Sequence, residues 1–405
     1  MKKIKTLSMT KQILIGTFLG IIIGLIFKDK VIGIKIIGDI FLRLLMMSVV
    51  LLVMGAVIEA VGNLDYHVLG RLGGKMVFWF MLSTFLAAAL GMILGKIFVP
   101  GKITAVTTSS YVVKAVEQSP YDIFLNFFPT NIFSAMVTSN MIQIIVFSII
   151  FGVALSIWHA EHKSCQVLGI LKEFNEIILK MISIIMKAAP IGICSLVAYT
   201  TGSTGIKVII PLMKFLLVFA AGSCIHLIVI IVFVSIYCSV SPIRIAKKLT
   251  RMTLFAFATT SSAISLPIKM EDSENKLGVS KKVSRLVNPL GMTLNSNGLA
   301  MYLALSCIMI SQFYGIEISL MNMIKIIVIS TLACLGTVAV PGGGLIALTM
   351  VVPSLGLPIE SIALLSGIDW FSGMFRTVLN VDIDALIAMI IAKDEKELDY
   401  KIINT

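Results

Sequence analysis

The chain has 405 residues, 58% of them hydrophobic and 13% charged, with a formal net charge of +12. A composition this apolar excludes one soluble core and describes an all-α polytopic membrane protein. The positive charge is no nucleic-acid footprint, because the basic residues sit in short loops between apolar runs and so report topology.

Lys2, Lys3, Lys5 and Lys11 precede the apolar run Ile13 to Phe27. No small-residue cleavage pattern follows and Lys28-Asp29-Lys30 closes the run, so it reads as a first span and not as a leader. Plain spans follow at Ile36 to Val61, Met76 to Phe98, Asn131 to Trp158, Ile177 to Tyr199 and Val208 to Val240, each long enough to cross. If the spans alternate, the basic clusters at Lys2 to Lys11, Arg71 and Lys75, Lys163 and Lys172, Arg244 to Arg251 and Lys276 to Arg285 fall on one side. The loops Thr104 to Gln118 and Thr200 to Gly205 are nearly uncharged and fall on the other. The positive-inside rule makes the basic side, and the N-terminus, cytoplasmic in a plasma (inner) membrane. Cys165, Cys194, Cys224, Cys238, Cys307 and Cys334 show no paired spacing and imply neither a disulfide frame nor a metal site.

After Val240 the pattern changes. From Pro242 to Gly278 an apolar stretch is broken by Thr259-Thr260-Ser261-Ser262 and returns to the charged run Lys269 to Lys276, so each arm is too short to cross alone. The span Leu286 to Ser311 is interrupted by Thr293, Asn295, Ser296, Asn297 and Gly298. A second broken stretch runs from Ile318 to Pro358, with Val340-Pro341-Gly342-Gly343-Gly344 at its middle. A broken hairpin followed by a polar-interrupted helix thus occurs twice, the pattern of a transporter site built from an inverted repeat. Irregular backbone at membrane depth persists only where protein buries it or where it lines a wet cavity, and N–H groups freed at a half-helix start attract anions. A glycine triplet alone is more often a flexible turn, and a serine run more often helix contact. The order of the whole set carries the reading.

The final span, Ser361 to Ala392, has one polar wall. Taking Arg376 as zero, Asp369 falls at roughly 20°, Asn380 at 40°, Gly373 at 60°, Asp384 at 80° and Thr377 at 100°, with Asp382 away at about 240°. Three mid-membrane charges cost roughly 8 to 10 kcal/mol unless they pair or face a cavity, so the wall marks a solute or ion path. The competing reading is a salt bridge that only locks helices. A channel would need a continuous polar pore, whereas these features gather at one locus. An enzyme would need a nucleophile and base or a metal set; the HxxH pair His159 and His162 stands beside Lys163 in what reads as a solvated loop.

Thr259-Thr260-Ser261-Ser262-Ala263-Ile264-Ser265-Leu266-Pro267 resembles the serine-rich first hairpin tip of the glutamate transporter family, the dicarboxylate/amino acid:cation symporters. Asn295-Ser296-Asn297-Gly298 resembles its Asn-Met-Asp-Gly-Thr signature, Val340 to Gly344 its second hairpin tip, and Gly367-Ile368-Asp369 through Asp384 its eighth helix. Over the first 200 residues the likeness is in span layout only, with Ser83 and Thr84 resembling a hydroxyl pair used there for a cation. The resemblance implies eight transmembrane helices plus two re-entrant hairpins, an inverted-repeat elevator-type carrier working as a homotrimer. Residues 1–72 and 105–204 would form the scaffold, and 73–104 and 205–405 the transport domain. It implies no enzyme and no cofactor, but a small anionic solute carried with sodium, or with protons, across the bilayer.

Residue by residue, the resemblance gives a substrate carboxylate to Arg376, with Thr377 and Asn380 as its neighbours, and the other carboxylate to Ser261 and Ser262, with Gly342 and Gly343 on the second hairpin. It gives one sodium site to Asp384, Asn380, Asn295 and Gly291, another to Thr293, and a weaker set to Ser83, Thr84 and Asn297. Three departures follow. Gly373 replaces the aspartate that holds an amino-acid ammonium, Asn297 and Leu299 replace the signature's Asp and Thr, and Phe80 stands for a tyrosine. A C4-dicarboxylate with fewer sodium ions per cycle is therefore the expected cargo. Asp369, one turn away, keeps glutamate or aspartate as the alternative, and a proton-driven cycle is the rival to sodium.

Overall fold

The computed structural model describes residues 9–63, 73–101, 125, 128–138, 140–162, 166–204, 209–336 and 343–404. Val340, Pro341, Gly342, Arg71, Lys163, Cys165 and the loop from Thr104 to Gln118 lie outside the described residues. All regular elements described are helices. The first part of the chain forms α1 (Met9–Phe27), α2 (Lys35–Gly62), α3 (Gly74–Phe98), α4 (Ile132–Val137), α5 (Met141–Glu161), α6 (Gln166–Met186), α7 (Ala189–Thr204) and α8 (Ile209–Cys238). His159 belongs to the last turn of α5 and His162 to its C-cap, so the HxxH pair closes a helix and does not form a loop.

One expected span is not a single helix. The run Ile177 to Tyr199 straddles α6 and α7, which meet at 55°. Pro190, in the first turn of α7, lacks an N–H and cannot continue the preceding helix. Asn131 to Trp158 is likewise divided between α4 and α5, where Asn140 accepts from Gln143 N and caps α5.

The second part breaks where the polar runs stand. The first hairpin is α9 (Pro242–Thr259) and α10 (Ser262–Asn275), and α11 (Lys281–Leu294) is separated from α12 (Asn297–Phe313) at Asn295-Ser296. The second hairpin is α13 (Leu320–Ala333) and α14 (Gly343–Ser354). A short α15 (Ile362–Ser366) precedes α16 (Asp369–Asp394), and α17 (Tyr400–Asn404) ends the fold. By length and composition Gly74–Phe98, Gln143–Glu161, Ile209–Cys238 and the broken run Lys281–Phe313 would each cross a membrane.

Packing divides the helices into two groups. In one, α2 touches α5, α6 and α7, while α1 lies along α7. Gly16, Gly20 and Gly24 put a small-residue stripe on α1, so the α7 backbone approaches closely: a Cβ on Gly20 would stand 2.6 Å from the Cys194 carbonyl oxygen. In the other group α12 is buried on every side between α3, α8, α13 and α16, as a helix with apolar residues on every face must be. The α16 helix also contacts α8 through α11 and, in the second hairpin, α14, so both hairpin ends are gathered around its polar wall.

Candidate functional site

The break at Gly367-Ile368 places Asp369 in the first turn of α16, not inside a span that begins at Ser361. A carboxylate is favoured at a helix N-terminus. Two turns later Arg376 Nη1 donates to Asp369 Oδ1 at 2.7 Å, with the two side chains only 12% and 8% exposed. The guanidinium carbon lies 4.8 Å from the ring centroid of Tyr302 on α12, a cation–π contact.

Both hairpins close on this pair. A Cβ on Gly344, at the start of α14, would overlap Arg376 Nη1 and Asp369 Oδ1, so the second hairpin reaches the charges only with glycine there. On the other side a Cβ on Gly373 would stand 3.4 Å from Arg376 Nη2 and 4.0 Å from Thr260 at the first hairpin's tip. Ser261 caps α10 by accepting from Ile264 N, and Ser261 and Ser262 are both buried. Gly343 is buried at the first position of α14. Thr377 Oγ1 donates to Gly373 O at 2.8 Å, and Asn380 Oδ1 accepts from Gly298 N at 2.8 Å, closing the start of α12.

One turn below Asn380, Asp384 is wholly buried. Its Oδ1 accepts from Asn295 Nδ2 at 2.7 Å and its Oδ2 from Lys269 Nζ at 2.6 Å. A Cβ on Gly291 would stand 2.6 Å from the carboxylate carbon, so the close approach of α11 requires glycine. Asp384, Asn295 and Gly291 therefore meet, and Asn380 joins them through the helix break.

Lys269 is the correction to the sequence reading. It opens the charged run taken to leave the hairpin, yet it is fully buried in α10. Its signal was helical spacing: Ser262, Ser265, Lys269, Asp272 and Ser273 form the buried face of that helix. Tyr302 was also missed as a partner of Arg376, since nothing local marks it, and Gly344 was marked only as part of the second hairpin tip.

A third cluster surrounds the α11–α12 break. Asn295 Oδ1 accepts from Thr84 Oγ1 at 3.0 Å, Ser83 Oγ at 3.1 Å and Asn297 Nδ2 at 2.6 Å. His226 Nε2 of α8 lies 3.2 Å from Asn297 Oδ1. Thr293 Oγ1 donates to Leu290 O at 2.9 Å, within its own helix. Hydroxyl protons rotate, so these oxygens can also offer lone pairs to a cation.

The comparisons with known proteins agree with this architecture. A family model described as the sodium:dicarboxylate symporter family matches residues 9–394. The proton/glutamate-aspartate symporter of Bacillus subtilis (strain 168) is 32% identical over 400 residues, 96% of this chain and 95% of the relative. The proton/sodium-glutamate symport protein of Geobacillus stearothermophilus is 34% identical over 397 residues, covering 95% and 94%. The C4-dicarboxylate transport protein of Anaeromyxobacter sp. (strain K) is 28% identical over 402 residues, covering 97% and 91%. With broken helices, converging hairpins and a match along nearly its whole length, the chain belongs to the sodium:dicarboxylate symporter family, the helical membrane transporters of dicarboxylates and acidic amino acids.

Proposed function

We propose that the chain is a secondary carrier that imports a C4-dicarboxylate together with sodium. The observation that supports it is Arg376 held between both hairpin ends, with Asp369 on its Nη1 side and Gly373 on its Nη2 side. A guanidinium offers a carboxylate two parallel N–H donors in a low-dielectric site. Gly373 provides no charge for a substrate ammonium, and the carboxylate of Asp369 is already committed to Arg376. The pocket then suits two negative groups and no positive one.

An acidic amino acid is the second reading, supported by higher identity to relatives named for glutamate than to those named for C4-dicarboxylates. Competition binding on the purified protein separates the two. Succinate, fumarate or malate should bind more tightly than aspartate or glutamate; aspartate binding at least as tightly as succinate gives the site to the second reading. Counterflow of bound solute in proteoliposomes distinguishes a carrier from a channel, which cannot exchange it.

For the cation, the oxygens of Ser83, Thr84, Asn295, Asn297 and Thr293 form the neutral candidate set. Uptake in sodium and in choline buffers at fixed pH tests it, and sodium-independent uptake driven by a pH gradient would assign protons instead. In the alternating-access cycle, residues 73–104 and 205–405 move as an elevator against a scaffold of 1–72 and 105–204, assembled as a homotrimer in the plasma membrane with the N-terminus cytoplasmic.

A further inference from the structure

Among the described ion pairs, Lys269 with Asp384 is the most deeply buried, both side chains being 0% exposed. It joins the first hairpin to α16 across a sequence separation of 115. The ammonium also donates to the Asn288 carbonyl of α11 at 2.8 Å, while the other oxygen of Asp384 is held by Asn295. A carboxylate oxygen and a helix carbonyl, the oxygen types a small cation would take, thus face a positive group that belongs to the chain.

Charge balance gives this arrangement its consequence. One buried carboxylate is neutralised by one buried ammonium, so a dissolved cation entering at Asp384 would stand at contact distance from a like charge in a dry site. Lys269 follows Ser262 by seven positions, two turns, and shares the same buried face of α10. Asn288 and Asn295 lie on either side of Gly291, the residue whose missing Cβ admits Asp384.

We propose that the Lys269 ammonium is a tethered substitute for a coupling cation at Asp384. The carboxylate stays paired and recruits no cation from solution, and coupling falls to the oxygen cluster at Ser83, Thr84, Asn295 and Asn297. Lys269 is a positioning residue: it carries no substrate, but it sets how many cations accompany one substrate. This rests on the carrier reading above.

The test is the cation-to-substrate ratio, from reversal potentials in proteoliposomes, for the native chain, Lys269→Met, and Lys269→Met combined with Asp384→Asn. In Lys269→Met the bare carboxylate must take a cation from solution, so the ratio should rise by about one. The double variant has no buried charge to balance and should keep the native ratio whatever its rate. If Lys269→Met fails to fold, the double variant carries the test. A double-variant ratio lower than native by about one means that Asp384 binds a transported cation, and overturns the proposal; so does an unchanged ratio in a folded Lys269→Met. Absence of counterflow by the native chain with every dicarboxylate and acidic amino acid is a different outcome, which removes the carrier reading itself.

Discussion

Arg376 is held by a carboxylate on one side and an aromatic face on the other, so its fork is aimed before any ligand arrives. Lysine keeps the charge but cannot make the two parallel bonds. Arg376→Lys should weaken binding of the best anionic substrate by roughly 2 to 5 kcal/mol, enough to abolish uptake, while the protein still folds; unchanged uptake would remove Arg376 from the site. A Cβ at Gly373 would make only ordinary contacts, 3.4 Å from Arg376 Nη2 and 4.0 Å from Thr260. Gly373→Asp should shift preference from succinate toward aspartate, read as a reversal of their relative affinities in competition binding. Gly291→Ala pushes a methyl against Asp384, and overpacking of this kind costs about 1 to 3 kcal/mol. A lowered melting temperature with loss of uptake is the expected result.

Among the elements, the helix breaks do the positioning. The start of α12 is closed by Asn380 Oδ1 on Gly298 N, which ties the α11–α12 break to the wall of α16. Asn380→Ala leaves that donor without its acceptor at membrane depth, a cost of about 1 to 3 kcal/mol. Thermal unfolding in detergent should show the loss. The breaks at Thr260-Ser261 and Asn295-Ser296 were legible, because runs of small hydroxyl and amide residues interrupt apolar stretches too short to cross alone. The bend at Lys187-Ala188 was not, since the apolar run resumes directly after the single charge of Lys187, and only that charge and Pro190 mark it.

Across the whole molecule, charge is gathered where several helix ends meet. Lys75 lies 3.1 Å from Glu395 and 3.5 Å from Asp394, Tyr237 donates to Asp394, and Lys248 Nζ donates to Ile402 O at 2.7 Å. Glu397 accepts from Ser280 Oγ and from Lys282 Nζ, holding the chain after α16 to the start of α11. The Ser280 hydrogen bond first, and the Lys282 contact second, hold its carboxyl below the usual value. A lowered folded pKa contributes stability above the ordinary glutamate value of about 4.3, lost as pH falls through the folded value. Protection factors over residues 398–404, taken relative to the intrinsic exchange rate at each pH, should therefore be high at neutral pH and fall on acidification, and Glu397→Gln should lower them at neutral pH. Glu397 is partly exposed, so the effect is local.

The sequence by itself determined the membrane setting, the two breaks in the first repeat unit and the polar wall of the last helix, because each is written in local composition and helical period. Pairing was decided by the tertiary structure. Charges at Lys269 to Lys276 read as one charged run after the hairpin break, yet packing carries Lys269 to Asp384 and leaves its neighbour Glu271 outside with Arg251. Asp369 and Arg376 share a face by periodicity alone, but that Gly344 and Tyr302 enclose them follows only from the hairpins closing on α16. A buried charge needs a partner at hydrogen-bond distance, and which residue meets that need depends on how distant helices pack, which no local pattern encodes.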